Sequence, residues 1–306
     1  MDTLKPSLDD LLELRHQAQS IGLASSRPVN SVLSGLYKSV FRGQGVDFEE
    51  VREYREGDEI RNMDWRVTAR TGKPHLKVFR EERQRTVMIC VDVGVHMNFG
   101  TRGTFKSILA AQVAALLGWA ASENHDKLGG ILFGDPTGIR YFQASNSRRS
   151  LWQLLRSLSD IAEKPCTDSD PLLTTMDKLI HGTPTGGLIF LLADMSQEIK
   201  GIEQRLGHLI QRHEVVLIPI DDIADKEMPA MGKMIFSDMS GREVEIDTDD
   251  EAGRQAYYQS WLDKRKHLAR VCNRLGADMI PMRTHEDVHR SLTAGLRRRA
   301  FRMASR

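Results

Sequence analysis

The stretch CVDVGVHMNFG, residues 90–100, decides the fold. An apolar run, Val87-Met88-Ile89-Cys90-Val91, ends in Asp92, and a glycine, a histidine and an Asn-Phe-Gly turn follow. Uninterrupted apolar runs of this length are the mark of strands buried on both faces. The pattern recurs downstream. Leu188 to Asp194 and Glu214 to Asp221 are also apolar and also end in aspartate. Helical patterns separate the runs: Thr104 to Asn124, Ser147 to Ile161, Asp170 to His181 with Pro171 at its first position, Ser196 to Arg212, Asp249 to Leu275 and His285 to Arg302. Lys127 to Gly134 reads as a strand with Ile139 to Gln143 as its hairpin partner, Lys233 to Ile246 as a hairpin, and Asp278 to Arg283 as a short strand. Strands alternating with helices imply a mostly parallel sheet covered on both faces. Ligands of such sheets bind at the carboxyl ends of the strands, where Asp92, Asp194 and Asp221 are expected. An aspartate there either caps the next helix or offers its oxygens to a ligand.

Composition limits the function. The 306 residues carry a net charge of +1, so no global field favours nucleic acid or an anionic membrane. The three cysteines, Cys90, Cys166 and Cys272, are far apart and odd in number, as expected of small core residues in a reducing compartment. The N-terminal MDTLKPSLDDLLELRHQ lacks the apolar centre of a signal peptide, and Ser7 to Gln19 reads as a helix. The expectation is a cytoplasmic protein. No phosphate loop of the G-x-x-x-x-G-K-[ST] type, no G-x-S-x-G elbow and no metalloprotease helix motif occurs, so no catalysis is expected.

The segment 86 to about 285 resembles a von Willebrand factor type A domain. The implied fold is α/β and Rossmann-like, a mostly parallel sheet with helices on both faces. Such domains carry a metal-ion-dependent adhesion site, usually for magnesium: an Asp-x-Ser-x-Ser motif after the first strand, a Thr on a later loop and an Asp after a middle strand. By that resemblance Asp92, Thr167 and Asp194 are the candidate metal ligands. The two serines are replaced by Gly94 and His96. Glycine has no side-chain oxygen, and imidazole suits zinc or copper better than magnesium, which demands oxygen ligands in near-octahedral array. The site is therefore expected to be degenerate, with magnesium binding weak or absent. His96 either fills the vacated space as a hydrogen-bonding residue or joins Asp92 and Cys166 around a softer metal.

The segment before the sheet, GLYKSVFRGQGVDFEEVREYREGDEIRNMDWRVTARTGKPHLKVFREER, resembles the domain-of-unknown-function 58 family almost continuously. Its landmarks are Arg42, Gly43 and Gly45; Arg52, Tyr54, Gly57 and Asp58; Arg61, Asp64 and Trp65; Ala69 and Arg70; Lys77 and Glu82. Arg52, Arg55, Arg61, Arg66 and Arg70 face Glu53, Glu56, Asp58, Glu59 and Asp64 in number, so the segment can pair its charges internally. It is either a packed, salt-bridged extension of the sheet or a partner-docking surface. Asp58 is placed to cap a short helix running through Trp65, and Trp65 is the expected buried anchor. The chain thus divides into 1–85, an N-terminal helix with a charged β-rich extension, and 86–306, the α/β domain.

Family members are often encoded beside MoxR-type AAA+ ATPases. The resemblance therefore implies a non-enzymatic adaptor with a MoxR-type partner. Without an ion to attract the partner, docking is expected through His96, Asn98 and Phe99, and no cofactor is expected beyond weakly held magnesium. The alternative is a metal-dependent hydrolase using Asp92, Asp194 and Asp221 as a carboxylate cluster.

Overall fold

The computed structural model describes residues 5–18, 46–54, 63–81, 85–160, 168, 170–195, 201–237 and 242–304. These fall into two compact units: residues within Phe41–Arg85, and helix α1 (Leu8–Ala18) together with the chain from Thr86 onward. The first helix thus joins the sheet unit, a different division from one at residue 85. Its Leu11 carbonyl accepts a hydrogen bond from Trp119 Nε1 at 3.1 Å, which gives the buried indole its polar partner.

The sheet unit alternates as its apolar pattern dictates. In chain order it contains β3 (Thr86–Asp92), α3 (Lys106–Glu123), β4 (Lys127–Phe133), β5 (Arg140–Ser145), α4 (Arg148–Ser159), α5 (Pro171–Gly182), β6 (Leu188–Ala193) and α6 (Ile202–Ile210). Then come β7 (Glu214–Asp221), the short α7 (Ile223–Lys226), the hairpin β8 (Lys233–Ser237) and β9 (Glu243–Asp247), α8 (Glu251–Leu275), β10 (Asp278–Met279), β11 (Met282–Arg283) and α9 (Val288–Ala304). Among the described residues the main sheet runs β5-β4-β3-β6-β7-β10, with β11 also on β7. All neighbours are parallel except the β4–β5 pair. Read in order of appearance this is 3-2-1-4-5-6, the doubly wound order in which ligands meet the carboxyl ends of the strands.

The two faces of β3 show why the sheet needs cover on both sides. Met88 and Cys90 point into a core with Met176 and Leu179 of α5, Leu206 of α6 and Leu268 and Cys272 of α8. The other face carries α3, which is apolar nearly all round and buried accordingly, with Leu109, Val113 and Leu117 at most 1% exposed. Each such side chain contributes roughly 1.5–3 kcal/mol by leaving water. Gly118 on α3 lets α4 approach, since a Cβ there would lie 2.5 Å from Leu151 Cδ1. Cys90 and Cys272 are buried free thiols, and burial raises Cys272 to about 11. No helix among the described residues is long and apolar enough to cross a membrane.

In the other unit β1 (Val46–Glu53) pairs antiparallel with β2 (His75–Glu81), and α2 (Trp65–Thr71) lies between them in sequence. The β-rich character is as expected. The helix is not: it starts at Trp65, and its cap is Asp64, whose Oδ1 accepts from the backbone N–H of Arg66 (3.0 Å) and Val67 (3.1 Å). Asp58 and Arg61 lie outside the described residues, as do Arg42, Gly43, Gly45, Gly57 and Glu82. Trp65 is 67% exposed, so it is no buried anchor. Asp64 sets the helix start, which makes Trp65 its first residue and leaves the indole in solvent.

This geometry sets an order of effects. Asp64→Ala removes a cap and costs about 1 kcal/mol, whereas Trp65→Ala stays within about 0.5 kcal/mol, as surface changes do. Chemical denaturation of both variants checks it; a larger loss for Trp65→Ala contradicts this placement of the helix.

Candidate functional site at the carboxyl edge

Three parallel neighbours deliver carboxylates to one edge. Val91 of β3 lies opposite Leu192 of β6, so Asp92 and Asp194 leave the sheet side by side, and β7 brings Asp221 next to them. Asp92 is buried and both its oxygens are taken. Oδ1 accepts from the Gly94 N–H at 2.9 Å, and Oδ2 lies 2.9 Å from His96 Nε2. A single 3₁₀ turn, Val95–Met97, folds the imidazole back over Gly94. A Cβ on residue 94 would sit 2.5 Å from His96 Cε1 and 3.1 Å from Asp92 Oδ1. The glycine and the histidine are therefore coupled: the ring occupies the space a side chain at 94 would need.

Asp194 meets a residue that the sequence reading missed. Lys106, the first residue of α3, is 1% exposed, and its Nζ lies 2.7 Å from Asp194 Oδ2 and 2.7 Å from Asp225 Oδ2. Asp225 is fixed by a capping box on α7: Asp222 accepts from Ala224 N, while Asp225 Oδ2 accepts from Asp222 N at 2.6 Å. Asp222 also accepts from Thr101 N (3.0 Å), Thr101 Oγ1 (2.5 Å) and Thr284 Oγ1. Asp221 is held by Arg265 of α8, which also donates to the Met195 carbonyl. Tyr257 of α8 donates to the Ala224 carbonyl at 2.9 Å. The only sequence signal for Lys106 is its position. A lysine in the first turn of a helix opposes the helix dipole and needs anions to hold it there.

The rim is formed by the expected docking residues. His96, Asn98 and Phe99 are exposed, Phe99 by 42%. The Lys106 ammonium lies 5.4 Å from the Phe99 ring centroid, so the ring partly roofs the buried charge. Thr167, Cys166 and Gln197 lie outside the described residues. Asp168 accepts from the Asp170 N–H at 3.0 Å, ahead of α5.

Among the described residues, Lys106 pairs with Asp194 and Asp225, Arg265 with Asp221, and His96 with Asp92. Burial and these partners set the direction in which the pKa values of Lys106, Asp221, Asp225 and His96 depart from their ordinary values. Burial works against the Lys106 charge, but Asp194 and Asp225 outweigh it and hold its pKa above the usual lysine value. Burial pushes Asp221 and Asp225 up, and Arg265 and Lys106 offset that only in part. For His96, burial lowers the pKa, while the Asp92 hydrogen bond, the Asp92 charge and Asp194 raise it further than burial and Lys106 lower it, so the net shift is upward.

The donor set does not suit magnesium as arranged. Gly94 supplies no oxygen, the His96 ring binds Asp92 instead of facing an ion, and Asp194 is engaged by Lys106. Among the described residues no group of three His, Cys, Asp or Glu side chains is placed to hold a metal.

A family model described as "Protein of unknown function DUF58" matches residues 50–267. The chain belongs to the DUF58 family. The uncharacterized protein Rv1480 of Mycobacterium tuberculosis is 27% identical over 284 residues, 93% of this chain and 89% of that one. The uncharacterized protein MAV169 of Mycobacterium avium is 26% identical over 144 residues, 47% of this chain and 85% of that one. Two solved structures are similar. BatB, a conserved hypothetical protein from Bacteroides thetaiotaomicron, has 12% identity, a TM-score of 0.40, and covers 72% of this chain and 100% of its own. A von Willebrand factor type A protein from Catenulispora acidiphila has 11% identity, a TM-score of 0.41, and covers 73% of this chain and 43% of its own. The fold of this DUF58 chain is α/β, a doubly wound, mostly parallel sheet with the antiparallel edge strand β5.

The raised His96 pKa gives a signed pH dependence. A group whose pKa rises on folding stabilises fully below its unfolded value, about 6.5, and the contribution fades as pH climbs through the higher folded value. The melting-temperature gap between the parent and His96→Gln is therefore widest below the ordinary imidazole value of about 6.5 and shrinks as pH rises above it. Paired melts across that range test it; a gap that widens with pH contradicts the Asp92–His96 pairing.

Proposed function

We propose that this chain is a non-enzymatic protein-interaction module, an adaptor that docks a partner on the carboxyl edge of its sheet beside a degenerate metal-ion-dependent adhesion site. The observation that carries this reading is the state of the edge carboxylates. Asp92, Asp194, Asp221, Asp222 and Asp225 each have a protein partner, so none is poised as a base or nucleophile. Catalytic acids and bases need a pKa matched to their task and a free line to the substrate. Here the charges are spent on holding loops together. The rim above them offers an apolar ring, Phe99, and a titratable donor, His96, flanked by Asn98. An aromatic surrounded by polar groups is the usual composition of a contact hot spot.

The partner proposed is a MoxR-type AAA+ ATPase, on the ground of the family resemblance, with both proteins in the cytoplasm. The hydrolase alternative draws less support, because Arg265 takes Asp221 and Lys106 takes Asp194, two of the three carboxylates it requires.

The test is a pull-down of the MoxR-type ATPase from the same organism, using the parent and a His96→Ala, Phe99→Ala double variant shown to fold by circular dichroism. The parent should recover the ATPase and the double variant should lose at least tenfold in affinity, about 1.4 kcal/mol or more. Equal recovery by both variants places the interface elsewhere, and no recovery by the parent removes the partner.

A further inference from the structure

We propose that the Lys106 ammonium is the resident cation of the carboxyl edge: it takes the place of the divalent ion that the fold would otherwise hold, and the edge is assembled without metal. The disagreement between the donor set and magnesium is the starting point. Asp194, the aspartate that the type A resemblance assigns to the ion, has the Lys106 Nζ at 2.7 Å from its Oδ2. Asp225, brought in by the α7 capping box, binds the same nitrogen at 2.7 Å and 2.8 Å through its two oxygens. Lys106 is 1% exposed, so these contacts are made in place of water, not in addition to it. An ammonium has three donors and no acceptor. It collects oxygens from several directions as a small cation does, at a longer distance than the roughly 2.0–2.1 Å of a magnesium–oxygen bond.

The place of Lys106 in the chain strengthens the inference. It is the first residue of α3, where the exposed N–H groups already present partial positive charge. Helix stability therefore disfavours a lysine there, and burial disfavours it again. Two carboxylates from segments 88 and 119 residues away overcome both. Phe99 closes the solvent side, with the ammonium 5.4 Å from its ring centroid.

The consequence deepens the adaptor reading and rests on it only here. A metal ion can leave a coordination position open for an acidic side chain of a partner. Lys106 faces Asp194 and Asp225 under a ring and leaves no such position, so a partner's carboxylate is not the anchor. Recognition falls to the rim, and binding is indifferent to chelators.

The experiment uses Mn²⁺ as probe and needs no partner, so its outcome is independent of the pull-down. Lys106→Ala removes the cation that Asp194 and Asp225 share, and one or two carboxylates with waters suffice for such an ion. Electron paramagnetic resonance titration should find no Mn²⁺ bound to the parent at micromolar metal and one per chain in Lys106→Ala. The variant should melt lower than the parent in EDTA and regain most of the loss with Mn²⁺, and adding Asp194→Asn should abolish the gain. If Lys106→Ala is insoluble without metal, refolding is compared with and without Mn²⁺, and soluble protein only with the ion supports the proposal. Three results overturn it: Mn²⁺ bound by the parent and lost on Asp194→Asn, no more Mn²⁺ in the variant than in the parent, or a loss of stability or folding that Mn²⁺ leaves unchanged.

Discussion

One buried ammonium ties the carboxyl edge together. Lys106 opens α3, Asp194 follows the β6 strand and Asp225 lies in the first turn of the short helix after β7, so a single side chain joins three elements around the central strands. Buried ion pairs gain little overall, because desolvation consumes most of the Coulomb attraction. Removing one member is different. It leaves charge buried without compensation and costs roughly 3–5 kcal/mol. Such a contact acts as a constraint on geometry more than as a source of stability. It fixes where the Asp92 to Phe99 loop, the β6 end and α7 stand relative to one another.

The rest of the edge is held by further pairings of its carboxylates. Asp221 takes Arg265 from α8, and Arg265 reaches on to the Met195 carbonyl, so the long helix is fastened to the β6 and β7 ends together. Asp92 takes His96, a partner whose charge depends on pH. Gly94 makes room for the His96 ring, and the ring satisfies the Asp92 carboxylate.

Much of this was legible in the sequence. Fully buried parallel strands need unbroken apolar runs, and those ending at Asp92, Asp194 and Asp221 are found where the pattern puts them, side by side. Helices α4 and α5 begin at Ser147 and Pro171 signals that act locally. Trp65 and Lys106 were misjudged or missed for opposite reasons. Trp65 is a large apolar residue in a charged segment, and composition says bury it; the position of the helix start, set by Asp64, exposes it instead. Lys106 is a charged residue before an apolar helix, and composition says expose it; its partners lie too far along the chain for any local pattern to reveal them. The identity of a partner is the least legible property, because exposed surface residues are little constrained by folding.

The central claim is that a charged lysine, not a metal, neutralises Asp194. The direct measurement is ¹⁵N NMR of the lysine side-chain ammonium groups in the parent protein near neutral pH. The account predicts one ammonium signal protected from solvent exchange, lost in Lys106→Ala and unmoved by Mg²⁺ or EDTA. A spectrum with no protected lysine ammonium, or one whose protected signal is displaced by Mg²⁺, contradicts it.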